Sequence, residues 1–96
     1  MDKDILDEVY AVICDRRDNP KAGSYVNSLL SDPKGLDRTL EKIGEEAAEV
    51  IIAAKNGGEK EIVGECADLF FHVMILLAAK DIPLDRIREE FERRKK

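Results

Sequence analysis

Residues 36–80, LDRTLEKIGEEAAEVIIAAKNGGEKEIVGECADLFFHVMILLAAK, decide the fold of this chain. Apolar residues recur at helical spacing on both sides of Asn56-Gly57-Gly58, which predicts one helix over residues 36–55 and another over residues 59–80. Glycine here can take the left-handed conformation that ends a helix. Because the link between the two helices is short, we expect an antiparallel helical hairpin.

The sequence outside this hairpin predicts further helices and no strand. An amphipathic pattern covers residues 3–18, and Ser24 is placed to cap a short helical segment that runs through Leu30. Pro83 is suited to the first turn of a last helix. We therefore expect an all-α fold, a four- to five-helix bundle in which residues 1–96 form a single domain.

The second helix of the hairpin is apolar all the way round over residues 69–79, apart from His72. Such a helix has to be buried on every side. A chain of 96 residues has too few other helices to surround it. We expect a second subunit to complete the bundle, giving a homodimer; the alternative is a small monomer with this helix at its centre.

Composition narrows the class of protein. With 44% hydrophobic residues and 39% charged residues the chain is globular rather than disordered, and its net charge of −5 does not suit a general nucleic-acid binder. The first residues are charged and no apolar segment follows them, while residues 69–79 are too short to cross a bilayer. Cys14 and Cys66 lie far apart, as expected of reduced thiols. We expect a cytoplasmic protein that contacts no membrane.

Five carboxylates stand within the hairpin, in segments that otherwise read as apolar helix: Glu45, Glu46, Glu49, Glu65 and Asp68. Charge at such positions is costly unless it is compensated. Spacings of three and four residues project side chains to the same side of a helix, and antiparallel packing can bring the two groups together. Oxygen ligands grouped in this way suit a hard divalent cation such as Mg²⁺. The alternative is a solvated acidic face.

On a helical wheel, the acids of the first hairpin helix lie beside two basic residues. At about 100° per residue, Glu45, Glu46 and Glu49 share one side with Arg38 and Lys42. The opposite face is apolar and consists of Leu40, Ile43, Ala47, Val50, Ile51 and Ala54.

A redox metal site is disfavoured by the position of the single histidine. Carboxylate-bridged di-iron bundles use Glu-x-x-His on two helices, whereas His72 follows Asp68 by four residues and Glu65 by seven. His72 is therefore expected to be a satisfied core or interface residue rather than a metal ligand.

The carboxylate pattern resembles a known signature. Glu45-Glu46-x-x-Glu49, fifteen further residues and Glu65-x-x-Asp68 resemble the all-α nucleoside-triphosphate pyrophosphohydrolases of the MazG type. Four flanking motifs are similar to the phosphoribosyl-ATP pyrophosphatase family: NPKAGSY at 19–25, KGLDR at 34–38, KIGEE at 42–46 and DLFFH at 68–72. One departure is Phe71, where that family often has tyrosine.

The resemblance implies a MazG-like bundle that hydrolyses phosphoribosyl-ATP to phosphoribosyl-AMP and pyrophosphate, the second step of histidine biosynthesis. It also implies that the next activity of the pathway, the phosphoribosyl-AMP cyclohydrolase, lies on a separate chain. Two alternatives stay open. One is a house-cleaning (d)NTP pyrophosphohydrolase of the same superfamily, and the other is a helical dimerisation module without enzymatic activity.

The resemblance also implies roles for individual residues. The Mg²⁺ ligands would be Glu46, Glu49, Glu65 and Asp68. Glu45 is either a further ligand or the base that takes a proton from water, so Glu45 and Glu46 are the candidate catalytic carboxylates.

Substrate contacts are expected on the basic side of the site and in the preceding loop. Arg38 and Lys42 would contact substrate phosphates, or would only neutralise the acids. Ser24, Tyr25 and Lys21 would contact ribose or phosphate; alternatively, the serine is a helix cap and the tyrosine a packing residue.

Overall fold

The computed structural model describes residues 4–95, and within them it contains helices and no strand. The five helices are α1 (Ile5–Asp18), α2 (Tyr25–Leu30), α3 (Leu36–Asn56), α4 (Glu59–Ala79) and α5 (Asp85–Arg94). The predicted all-α class is confirmed, and the helix bounds agree with the sequence pattern to within two residues. The predicted start of the first helix, residue 3, lies outside the described residues.

Local capping explains where most of the helices begin. The Asp4 side chain accepts a hydrogen bond from the Asp7 backbone N–H, and the Asp7 side chain accepts one from Asp4 in return. The Ser24 hydroxyl accepts one from the backbone N–H of Asn27, so the predicted cap of α2 is confirmed. Gly35, with φ of 62°, precedes α3 in a left-handed conformation that glycine adopts without strain.

The expectation of a left-handed glycine at the end of α3 was wrong. Gly57 has φ −106° and ψ 177°, which is extended backbone. Its N–H still donates to the carbonyl of Ala53 at 2.7 Å, so the helix end is satisfied while the chain leads directly into α4. At the start of α4 the Glu61 side chain accepts from the N–H of Gly58.

The two long helices form the predicted hairpin, and α1 and α2 pack against it. The core lies where α1 and α2 meet the second half of α4, and Ile13, Ile75 and Ala78 are fully buried there. Burying an aliphatic side chain completely contributes about 1.5–3 kcal/mol. This core fixes α4, and hence the carboxylates near its beginning, relative to the loop before α2.

The last helix is held to the start of α1 by charge. Arg88 donates to Asp4, Asp7 and Asp85, with distances of 2.7–3.1 Å. Beside this cluster an apolar groove of about 420 Å³ lies between α1, α4 and α5, with Phe70 among its lining residues.

Half of the predicted apolar face of α3 is uncovered: Leu40, Ile51 and Ala54 are exposed, whereas Ile43, Ala47 and Val50 are partly buried. The buried residues of this helix are Thr39 and Ala53, whereas Leu40 and Ile51 are 44% and 62% exposed. The buried side of α3 therefore contains Thr39 and Ala53. It lies nearer to the carboxylates than the predicted apolar face does. A broad apolar surface remains open along this helix within the described part of the chain.

The apolar character of α4 extends beyond residues 69–79, so the helix as a whole is long enough to cross a bilayer. It has 21 residues, its most apolar window has a mean hydropathy of 1.9, and only 28% of that window is buried. By length and composition it could cross a membrane, as can the core helix of many soluble proteins. It also carries Glu65 and Asp68, and charged groups are expensive within a bilayer.

Candidate metal centre

The hairpin brings all five carboxylates around one open cavity. Glu45, Glu46 and Glu49 approach it from α3, and Glu65 and Asp68 approach it from α4. The cavity has a volume of about 480 Å³, and Lys42 and Ala48 complete its lining. The juxtaposition expected from residue spacing is thus present in the structure.

Three of these acids lie close enough to share one cation. Glu46, Glu65 and Asp68 each offer a carboxylate oxygen, and the three oxygens lie within 4.8 Å of one another. The Glu46 side chain is only 14% exposed, because it lies between the two helices. Glu49 lines the same cavity outside this group of three, and Glu45 is 57% exposed at its edge.

Electrostatics around the group favour a cation. Partial burial raises the pKa of Glu65, and the neighbouring charges of Asp68, Glu49 and Glu46 raise it further. Neighbouring carboxylates repel one another when they are ionised. A divalent cation that binds between them offsets this repulsion. The oxygen-only donor set is the one that Mg²⁺ prefers.

Lys42 is the base that faces this cavity. Its Nζ lies 3.4 Å from Glu45 Oε2 and 3.5 Å from Glu46 Oε1, and its side chain is 21% exposed. Burial acts to lower the pKa of Lys42, but the Tyr25 oxygen and the two carboxylates outweigh it, and the pKa is raised. The ammonium therefore stays charged and neutralises part of the acidic cavity.

Arg38 lies one turn away from Lys42 and pairs with Glu41. Its guanidinium is 3.4 Å from Oε1 of Glu41, and the Nζ atom of Lys34 is 3.1 Å from Oε2 of the same residue. The hydrogen bond from Lys34 is the main cause of the lowered pKa of Glu41, and Arg38 adds to it. Glu41 could not be singled out from the sequence, because acid–base spacings of this kind are common on solvated helices.

The loop before α2 forms a second, shallow cavity of about 640 Å³. Lys21 lies on it, and its backbone N–H donates to the Asn27 side chain at 2.8 Å. Ser24 serves as the helix cap described above, which was the simpler of its two predicted roles. Lys21, Ser24 and Tyr25 are thus neighbours on one surface, separate from the carboxylate cavity.

Tyr25 connects this loop to α4. Its hydroxyl oxygen lies 2.7 Å from Nε2 of His72, and Nδ1 of His72 lies 2.7 Å from the backbone carbonyl oxygen of Asp68. His72 is only 5% exposed, as expected of a satisfied core histidine. The pairing was missed at the sequence level, because the two residues are 47 positions apart and no spacing rule links them.

Comparison with known proteins identifies the same family that the sequence motifs resemble. The model of the family described as phosphoribosyl-ATP pyrophosphohydrolase matches residues 6–95. A protein of Methanocella arvoryzae named phosphoribosyl-ATP pyrophosphatase is 73% identical over 93 residues, which cover 97% of this chain and 98% of that protein. Proteins of the same name from Methanococcoides burtonii and Geotalea daltonii are each 51% identical over 94 residues, covering 98% of this chain and 95% and 87% of theirs.

Proposed function

The chain belongs to the phosphoribosyl-ATP pyrophosphohydrolase family, and from this premise we propose that the carboxylate cavity is where it hydrolyses its substrate. The reaction is the conversion of phosphoribosyl-ATP to phosphoribosyl-AMP and pyrophosphate, a step of histidine biosynthesis. The observation that carries the proposal is the approach of Glu46, Glu65 and Asp68 to within 4.8 Å of one another.

We assign Mg²⁺ as the cofactor and the three grouped acids, with Glu49, as the residues that hold it. The fit rests on the oxygen-only donor set and on the raised pKa of Glu65, which a cation would reverse. Bound Mg²⁺ supplies charge neutralisation for the triphosphate and acidity for a bound water. The identity of the metal is part of the proposal.

Glu45 is the proposed general base. It lines the cavity but stands outside the group of three, so its carboxylate is free to accept the proton of the attacking water. The Nζ atom of Lys42 lies 3.4 Å from Oε2 of Glu45. Glu46 then acts as a metal ligand, which divides the roles of the adjacent acids. The water oxygen forms a bond to phosphorus as the α–β phosphoanhydride bond breaks and pyrophosphate leaves.

The remaining residues are proposed to bind the substrate. Lys42 is placed to contact a phosphate at the cavity edge, and Arg38 can do so once it exchanges Glu41 for the substrate. Lys21, Ser24 and Tyr25 are proposed to contact the nucleotide outside the metal centre.

We propose that the chain forms a single domain over residues 1–96 and works as a cytoplasmic homodimer. The support for a dimer is the uncovered apolar face of α3 together with the groove beside Phe70, which is 56% exposed. A second copy of the chain offers the same surfaces and can cover them in a two-fold arrangement. A phosphoribosyl-AMP cyclohydrolase on a separate chain stays a prediction.

The direct test is to incubate the protein with phosphoribosyl-ATP and Mg²⁺ and to measure release of pyrophosphate. We expect turnover by the wild type and a loss of at least about 100-fold in kcat/KM for Glu46→Gln and for Glu49→Gln, because each removes a carboxylate from the cavity. Glu59→Gln is the matched control, because it makes the same substitution at an exposed glutamate in the first turn of α4. This variant should retain activity.

Two results would contradict the proposal. Unchanged turnover by the Glu46 variant would remove the metal assignment. Hydrolysis of dCTP in place of phosphoribosyl-ATP would favour a house-cleaning enzyme of the same superfamily.

A further inference from the structure

The hydrogen-bond chain from α4 to the loop before α2 has a fixed direction. The Asp68 carbonyl oxygen can only accept a hydrogen bond, so Nδ1 of His72 must carry the proton in that contact. With the proton on Nδ1, Nε2 of the imidazole is the acceptor. The hydroxyl of Tyr25 therefore donates its proton to Nε2 across the 2.7 Å contact.

This direction decides what Tyr25 can recognise. A phenol has one proton to donate, and here that proton is committed to His72. The Tyr25 oxygen presents only lone pairs to its surroundings, so it can accept a hydrogen bond but cannot donate one. The oxygens of an ionised triphosphate are acceptors and gain nothing from it, whereas a hydroxyl group does.

The ring of Tyr25 is also held in place by its neighbours. It stacks on Phe71 with a centroid distance of 6.4 Å and meets the edge of the His72 imidazole at 5.6 Å. The residue nevertheless stays 46% exposed, so one side of it faces outward. Through His72 it is connected to the backbone of Asp68, whose side chain lines the carboxylate cavity.

We propose that His72 is a positioning residue that fixes Tyr25 as a hydrogen-bond acceptor, and that Tyr25 thereby selects a sugar hydroxyl of the nucleotide rather than a phosphate oxygen. This inference rests on the proposed function. A water held by the metal is the other hydroxyl donor in such a site, and the two donors are separated by the choice of ligand in the experiment.

The experiment compares three single variants and one double variant at a fixed pH. Tyr25→Phe removes the acceptor. His72→Gln keeps a carbonyl oxygen near the position of Nε2, whereas His72→Asn keeps an amide near Nδ1 and cannot reach Tyr25. Each variant is assayed for kcat and KM with phosphoribosyl-ATP, and for the inhibition constant of inorganic tripolyphosphate, which has no sugar. Melting temperature and helical circular dichroism report on folding.

We expect Tyr25→Phe and His72→Asn each to raise KM about three- to tenfold with little change in kcat, because the contact is made equally in the ground and transition states. The inhibition constant for tripolyphosphate should stay within about twofold. His72→Gln should restore KM, and the double variant Tyr25→Phe/His72→Asn should be no worse than Tyr25→Phe alone, since the histidine acts through the tyrosine.

Several results would overturn the inference. If tripolyphosphate binding weakens in step with KM, Tyr25 contacts phosphate or a metal-held water. If the two single effects add, or if the glutamine and asparagine variants are equally impaired while both fold, His72 does not act through Tyr25. A wild type without turnover of phosphoribosyl-ATP would instead refute the proposed function, and this inference with it.

Discussion

Replacing Ile51 by alanine tests whether the open apolar face of α3 is a subunit interface. The side chain is 62% exposed in the single chain. Complete burial of an isoleucine is worth about 1.5–3 kcal/mol, so covering the exposed part contributes about 1–2 kcal/mol per protomer. A two-fold interface uses the same residue twice, which gives about 2–4 kcal/mol per dimer and a rise in Kd of about 30- to 800-fold.

Sedimentation equilibrium over a range of protein concentrations measures this Kd. Ile5→Ala is the matched control, because Ile5 is the same residue type, is 65% exposed and lies on α1. Circular dichroism should show that both variants keep their helical content. A wild type that sediments as a monomer at every concentration would refute the reasoning, and so would equal effects of the two substitutions.

Three further predictions address the metal, the core and the acid response. Mg²⁺ at about 100 times its Kd should stabilise the wild type by about 2.7 kcal/mol, a rise in Tm of about 10–20 °C, and the rise should disappear in Glu46→Gln; an equal effect of NaCl at matched ionic strength would exclude a specific site. Ile75→Ala should lower the free energy of unfolding in urea by about 2–5 kcal/mol, because the residue is fully buried, and a loss no larger than that of Ile5→Ala would contradict the described core. Finally, hydrogen bonds from the Asp4 backbone and then from Arg88 lower the pKa of Asp7 in the folded state, so its stabilising effect is present above the unfolded pKa and is lost as the pH falls through the folded value. Asp7→Asn should therefore make acid unfolding below about pH 4 less steep, as followed by circular dichroism.

Local signals predicted the helices well. The position of Ser24 and the period of the apolar residues predicted most bounds of the helices, because capping and helical periodicity depend on neighbours in the sequence. Pro83 lies ahead of the cap Leu84, two residues before α5, so its predicted place in the first turn was wrong. At Gly57 the local rule failed, since the next helix begins too soon for a left-handed turn.

The carboxylate cavity was predictable for a related reason. All its acids lie on one hairpin, so residue spacing and antiparallel packing were enough to bring Glu46, Glu65 and Asp68 together. Contacts between distant segments were not accessible in this way. The partner of His72 lies 47 residues away, and the buried side of α3 depends on where α4 packs rather than on the hydrophobicity of α3 alone.

The continuity of the hairpin has a kinetic consequence. Its two helices are joined by residues 57–58 alone, so contacts between them close short loops and can form early, before α1 reaches the end of α4. The carboxylates then repel one another in a folding intermediate or transition state as well as in the native chain. A divalent cation present during refolding should accordingly speed folding, and not merely slow unfolding, because the interaction it relieves is already present at the barrier.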